Sequence, residues 1–259
     1  VKTIKLGNYE LSRIGLGTNR ISDTSEARDI LRYAISRGVN LIDTAHVYTG
    51  GTSERVIGET LSPFGPNLAV ATKGGMGSGG RYDGSNATLA AELGQSLASL
   101  RTSAISLYQL HRVDPAVGIT QIMRTLKHFL EEGKVEHIGL SEVSVEQIKQ
   151  AQSVAPISSV QNHYNVEQRS GDDVVDYCEQ QGIIFMPFFP LGGRSTDITH
   201  KLKLLADKYS VTPQQIALAW LLMRSPVILP IPGTLSTKHL DENLGALDLS
   251  LSAADYSSI

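Results

Sequence analysis

Apolar residues alternate along this chain between two patterns. Short continuous runs read as buried strands. Between them apolar residues recur every three or four positions, which reads as helices with one buried face. The strand-like runs are IGLG (14–17), VNLID (39–43), LAVATK (68–73), ISLYQLH (105–111), VEHIGLS (135–141), SSVQNH (158–163), GIIFMPF (182–188) and VILPIP (227–232). Helical patterns occupy 25–38, 52–61, 88–101, 118–133, 145–153, 172–182, 201–210, 213–225 and 236–247. Gly38, Gly133 and Gly182 stand where a helix gives way to a strand, the usual place for a glycine cap. Thr212 ahead of Pro213 reads as an N-cap with proline in the first turn.

Strands and helices in strict alternation predict an α/β fold with a parallel sheet, because parallel neighbours need a crossover that a helix supplies. Eight such units close most simply into a (β/α)8 TIM barrel, with residues 1–259 as one domain. The opening TIKLGNYELSRI predicts an extra N-terminal β-hairpin turning at Asn8 and plugging the barrel floor. An open doubly wound sheet is the alternative, and it calls for a glycine-rich turn after its first strand. GLGTNR (15–20) is the one candidate; it lacks the third glycine, and no helix starts at once.

Composition narrows the class. The 259 residues are 41% hydrophobic and 19% charged, with a net charge of −3, ordinary for a globular protein and no signature of nucleic-acid binding. Cys178 is the single cysteine and excludes an internal disulfide. It lies in a helical pattern and reads as a packed thiol. The first residues carry no apolar leader core, and the longest apolar run, IALAWLLM (216–223), is too short for a membrane span. The expectation is a cytoplasmic protein, monomeric or weakly oligomeric, without nucleic-acid or membrane partners. No HExxH, CxxC or carboxylate cluster calls for a metal.

Candidate chemistry gathers where barrel strands end, since those ends converge on one face. The second strand ends in Asp43, with Tyr48 on the loop beyond; the third ends in Lys73 and the fourth in His111. Each alone has an ordinary reading: a helix cap, a loop tyrosine, a surface lysine, a core histidine. Together they bring charge to buried strand ends, which is costly unless the charges pair. An ammonium stabilises a nearby phenolate. Lys73, held by Asp43, would make Tyr48 a usable proton donor, and His111 would orient a substrate oxygen. Such an arrangement suits reduction of a carbonyl, where an alkoxide develops and takes a proton.

DTAHVY (43–48), ATKGG (71–75) and LYQLHRVD (107–114), in that order, resemble the segments of the aldo-keto reductase family that carry its Asp, Tyr, Lys and His. The resemblance extends from IGLGT to the LDENL near the C-terminus. It implies a barrel that binds NADPH without a Rossmann fold, with Tyr48 as proton donor, Asp43 and Lys73 tuning it, and His111 orienting a small-molecule carbonyl substrate. It further implies a nicotinamide site formed by Gly17, Thr18, Ser141, Gln161 and Phe188, with Glu142 where the family usually has Asn. Leu191, Gly192 and Arg194 fall in the loop that wraps the pyrophosphate. Gly233, Thr234, Ser236, Lys238 and His239 fall where the adenosine 2′-phosphate is held, and Glu242 and Asn243 where adenine is contacted. Many members have Lys and Arg in place of Gly233 and His239, so NADH is a possible second cofactor. The glycine-dense loop 74–87 is expected to be mobile and to shape the substrate pocket with Arg81 and Tyr82, with His46 as a further candidate for its lining; Trp220 reads as core. Compact bacterial members, pyridoxal reductases among them, are the nearer pattern. Two other readings stay open: a non-catalytic or regulatory nicotinamide-nucleotide-binding barrel, and a Schiff-base aldolase using Lys73, which would need a neutral amine.

Overall fold

The computed structural model describes residues 2–77, 79–192 and 196–259. The chain opens on an antiparallel hairpin, β1 (Thr3–Leu6) and β2 (Tyr9–Ser12). Its register pairs Leu6 with Tyr9, so Gly7 and Asn8 make a two-residue turn, with Gly7 at φ 54° as such a turn requires.

Seven parallel strands follow in sequential order: β3 (Leu16–Gly17), β4 (Leu41–Asp43), β5 (Ala69–Gly74), β6 (Leu107–Leu110), β7 (Ile138–Ser141), β8 (Ser159–Gln161) and β9 (Ile184–Phe185). Helices α1 (Ser25–Ser36), α2 (Thr52–Leu61), α3 (Asn86–Leu100), α4 (Ile119–Glu131), α5 (Val145–Gln152) and α6 (Asp172–Gln181) cross between them. The expected eighth strand, 227–232, forms no regular ladder. It nevertheless closes the barrel. Leu229 N–H donates to Phe185 O at 2.8 Å, and the N–H groups of Gly15 and Gly17 donate to Pro230 O and Pro232 O at 3.0 and 3.3 Å. Pro230 and Pro232 have no N–H to offer, so the segment bonds with its carbonyls on this side and falls short of a regular strand.

Between β9 and this segment lie α7 (Thr196–Tyr209) and α8 (Pro213–Arg224); α9 (Thr237–Gly245) and α10 (Ala253–Ser258) end the chain. Helix α7 starts five residues earlier than its apolar pattern indicated, and α10 was not expected. Helix α8 starts as its sequence indicates, with a Thr212–Gln215 capping box and Pro213 in the first turn.

Strand alternation sorts the side chains into two cores. Ile42, Val70, Tyr108, Leu110, Ile138, Leu140, Val160 and Phe185 face outward and pack with the helices. Leu41, Ala69, Ala71, Leu107, Ile184, Met186, Leu229 and Ile231 face inward, and Leu6 and Leu11 of the hairpin pack among them. The hairpin therefore plugs the barrel floor with two leucines. Continuing the inward positions upward by twos leads from Leu41 to Asp43, from Ala71 to Lys73 and from Leu107 to Gln109 and His111. The barrel interior is apolar at its base and polar at its mouth.

Cys178 is fully buried, and burial pushes its thiol up to about 12, as for an inert packed cysteine. Trp220 is core, stacked between Tyr164 and Tyr256. Among the described residues no helix is long and apolar enough to cross a membrane, and no group of three or more His, Cys, Asp or Glu stands ready to hold a metal ion.

Candidate active site

Asp43, the last residue of β4, and Lys73, near the end of β5, are 2% and 1% exposed. The Lys73 ammonium donates to both Asp43 oxygens, at 2.9 and 2.8 Å, and to Thr44 O at 2.7 Å. Three near-ideal acceptors offset the cost of burying the charge. Burial by itself would push the amine down; Asp43 and then Tyr48 outweigh it and hold Lys73 above its ordinary value. Lys73 is thus a fixed cation.

Tyr48 sits on a single 3-10 turn, Tyr48–Gly51, between β4 and α2. Its hydroxyl receives an N–H from Lys73 at 3.4 Å, and the ammonium lies 5.0 Å from its ring centroid. His111 follows β6 and meets Tyr48 edge to face, with ring centroids 6.0 Å apart. Burial, Lys73 and Arg112 together lower the His111 imidazole to about 3. It is neutral at any ordinary pH, and its Nδ1 has no hydrogen-bond partner. A neutral imidazole beside a phenol and a shielded cation is a hydrogen-bonding site for a polar, uncharged oxygen.

Asp43, Tyr48 and His111 line one cleft of about 410 Å³. Gly17, Thr18, Ser141, Gln161, Phe188, Leu191, Gly192 and Gly233 also line it. Gln161 Nε2 donates to Asp43 Oδ1 at 2.9 Å and to Gln109 Oε1 at 3.2 Å, so its amide is oriented from below. Thr18 turns its hydroxyl inward, donating to Asp43 O at 2.8 Å, and offers the cleft its backbone side. A second hollow of about 590 Å³ shares Arg20, Leu191 and Gly233 with the first. Thr234, Ser236, His239, Glu242 and Asn243 line it, beside the N-terminus of α9, which Ser236 caps.

The two hollows adjoin along Arg20, Leu191 and Gly233 and together make one groove. A Cβ at Gly233 would stand 2.9 Å from Gly17 O, and one at Gly17 would stand 2.5 Å from Ile231 O. Without Cβ atoms there, the 15–17 strand and the closing 231–233 segment pack backbone to backbone between the two hollows. Exposed N–H groups at a helix start, polar amides at one end and a neutral aromatic plane at Phe188 suit a nicotinamide dinucleotide.

Some expectations are corrected. Lys238 is 81% exposed, reaches toward Glu242 at 3.8 Å, and does not line the groove. Glu142 points away: its Oε1 accepts the His163 N–H at 2.7 Å, and the residue sits at φ 55°. His46, Arg81 and Tyr82 are not among the described lining residues. Among the described residues of loop 74–87, Met76 and Tyr82 form a bridge and the Gly77 N–H donates to Arg81 O at 2.9 Å. Arg194 lies outside the described residues.

Other lining residues went unread in the sequence: Asn19, Arg20, Arg112, Phe189, Ile231, Pro232 and Gln214. Arg112 donates to His111 O at 2.6 Å and to Ser141 Oγ at 3.0 Å. Its place directly after His111 was the available signal. Asn19 and Arg20 similarly continue the GLGT turn.

A model described as the Aldo/keto reductase family matches residues 13–259. The chain is 36% identical over 276 residues to pyridoxine 4-dehydrogenase of Escherichia coli, covering 99% of this chain and 96% of that protein. Among solved structures it superposes on a thermostable aldo-keto reductase in complex with the inhibitor epalrestat, with TM-score 0.90, 27% identity and coverage of 100% and 98% of the two chains. It also superposes on an aldo-keto reductase of Klebsiella pneumoniae in complex with NADPH, with TM-score 0.87, 25% identity and coverage of 99% and 93%.

Proposed function

The chain belongs to the aldo/keto reductase family, and from that premise we propose that it reduces aldehydes or ketones to alcohols with NADPH, Tyr48 giving the proton. The observation that carries this reading is the buried Asp43–Lys73 pair set against the Tyr48 hydroxyl at the foot of a dinucleotide-sized groove. Gln161 and Ser141 would hold the carboxamide and Phe188 the ring face. Leu191 and Gly192 would border the pyrophosphate; Gly233, Thr234, Ser236 and His239 the 2′-phosphate; Glu242 and Asn243 the adenine. NADPH, when bound, supplies the hydride.

The protein's own part is proton transfer and charge. The substrate carbonyl oxygen sits between Tyr48 and His111. Neutral His111 donates a hydrogen bond to it and sets its direction. As negative charge develops on that oxygen, the Tyr48 hydroxyl passes its proton over, and the Lys73 ammonium stabilises the phenolate left behind. Asp43 keeps Lys73 protonated and in place throughout. The same protonated amine is no nucleophile, which disfavours a Schiff-base reading of Lys73. The pyridoxine 4-dehydrogenase relative makes pyridoxal the first carbonyl compound to try.

The test is NADPH oxidation with pyridoxal and simple aromatic aldehydes, for wild type and Tyr48→Phe, with NADH alongside. Wild-type turnover that falls by a factor of about 10² or more in Tyr48→Phe, with NADPH affinity retained, is expected. Tight NADPH binding without turnover of any carbonyl compound would favour a regulatory nucleotide-binding barrel, and binding of neither nucleotide would refute the groove assignment.

A further inference from the structure

On the outer side of β5, behind Lys73, a second set of ionisable groups is shut away beneath α2 and α3. Glu54, in the first turn of α2, is fully buried. Its Oε1 accepts the Thr72 hydroxyl at 2.5 Å. Its Oε2 is buried without a hydrogen-bond partner. At 3.7 Å from that oxygen stands Nδ1 of His46, also buried and also without a partner. A carboxylate oxygen and a ring nitrogen left facing each other out of water are costly unless a proton makes them an ion pair.

His46 belongs to the turn that presents Tyr48. Its backbone N–H donates to Lys73 O at 3.0 Å, and the Tyr48 N–H donates to Ala45 O at 3.0 Å. Beyond Tyr48 the chain passes through three left-handed residues, Thr49 at φ 48°, Gly50 at φ 62° and Gly51 at φ 85°, before α2 brings Glu54 back beneath the turn. Glu54 raises the His46 imidazole above its ordinary value, burial opposes it, and Glu92 adds to the rise. The other groups facing the cluster are Glu92 of α3, whose Oε2 accepts the Gly75 N–H at 2.6 Å, and Tyr108 of β6, whose buried hydroxyl has no partner. Lys73 lies across β5 with its charge taken up by Asp43.

We propose that His46 and Glu54 are a positioning pair: the protonated imidazole bridges to the buried carboxylate and fixes the turn that presents Tyr48 to the cleft, and loss of that proton frees the turn. The catalytic part of this rests on the reading of Tyr48 as proton donor. The sign follows from the raised imidazole. The bridge is complete below the ordinary histidine value of about 6.5 and is lost as pH rises through the higher folded-state value. Reductase kcat should fall on that rise while NADPH affinity holds.

Three measurements on the full chain decide the matter. Long-range 1H–15N spectra, with His46 assigned by its loss in His46→Asn, should show an imidazole titrating above about 6.5 that moves down by about one pH unit or more in Glu54→Gln. With [13Cζ]tyrosine, the Tyr48 signal, assigned through Tyr48→Phe, should follow the same titration in wild type and stay flat in His46→Asn. In kinetics, His46→Asn places a neutral amide donor where Nδ1 stands. It should keep kcat within about threefold and lose the limb, whereas His46→Ala should lower kcat about tenfold at every pH with KM little changed. An imidazole titrating at or below 6.5, a Tyr48 signal indifferent to it, or an unaltered kcat limb in His46→Asn would overturn the proposal. A chain that turns over no carbonyl compound would sink the functional reading alone, because the two spectroscopic arms still decide whether His46 governs Tyr48.

Discussion

Lowering the pH from 7 to 5 tests the surroundings of His111 without any assumption about substrate. The imidazole is 5% exposed, faces the Lys73 ammonium and the Arg112 guanidinium, and is lowered to about 3. In the unfolded chain it returns to about 6.5. The unfolded state then binds more protons than the native state between those two values, so stability falls as pH falls through this window. At pH 5 an unfolded histidine is about 97% protonated and the folded one about 1%, which costs the native state about 2 kcal/mol relative to pH 7. Urea unfolding at the two pH values measures the whole change, to which other histidines contribute. His111→Gln removes this one contribution while keeping a neutral polar side chain. The difference between the two proteins in the pH 7-to-5 loss should therefore be about 2 kcal/mol, with equal m-values. Equal losses in both proteins would mean that His111 is solvated or paired in the native state, and the account of a neutral hydrogen-bond donor at the cleft would fail with it.

The buried ion pair gives a second expectation. Lys73→Met leaves Asp43 buried with Gln161 as a side-chain donor, and should cost about 3–5 kcal/mol in urea unfolding, most of it recovered in Asp43→Asn/Lys73→Met. Because Lys73 is raised, its contribution to stability is intact below about pH 10.4 and is lost as pH rises through the folded-state value; the alkaline limb of wild-type unfolding should be missing from Lys73→Met. Gly17→Ala puts a methyl 2.5 Å from Ile231 O at the seam where the barrel closes, and should lower stability by about 1–3 kcal/mol and weaken nucleotide binding; an unchanged unfolding midpoint would show that the seam can open freely.

The alternation of elements was legible because strand and helix periods differ and because glycines mark the junctions. The barrel was countable from eight apolar runs even though the last one makes no regular strand. VILPIP reads as a strand by its apolar content, and only its prolines hint that it would meet β3 through carbonyls alone. Helix α10 was missed because AADYSS is short and mostly polar; Ser252 caps it, and Lys208 and Tyr209 of α7 reach Asp255 across the chain. The strand-end residues were legible because a charged residue closing an apolar run is conspicuous. The contact of Glu142 was not legible, because its left-handed backbone turns the carboxylate onto the His163 N–H, and a sequence does not show φ. His46 and Glu54 were unreadable as partners for a different reason. They lie eight residues apart on a turn and a helix, and only the reversal through Thr49–Gly51 brings them face to face.

Sheet register explains why three consecutive strands supply the polar groups at the barrel mouth in this order. Asp43 pairs with Ala71 and Lys73 with Gln109. Lys73 therefore stands one inward step above Asp43, and His111 one inward step above Lys73. An inward step is two residues, about 6.6 Å of strand. A lysine bridges that step: its long chain runs back down the barrel wall until the ammonium reaches both Asp43 oxygens, and its upper side remains open to Tyr48. A shorter cation at 73 would stop short of Asp43 and be buried unpaired; a carboxylate one step higher would crowd the phenol. His111, highest on the wall, meets the cleft from the far side of Tyr48 at 6.0 Å. The stagger of a closed parallel barrel thus spreads the three side chains along a rising line, with the fixed charge pair at its base and the neutral donors at the level a carbonyl oxygen would occupy.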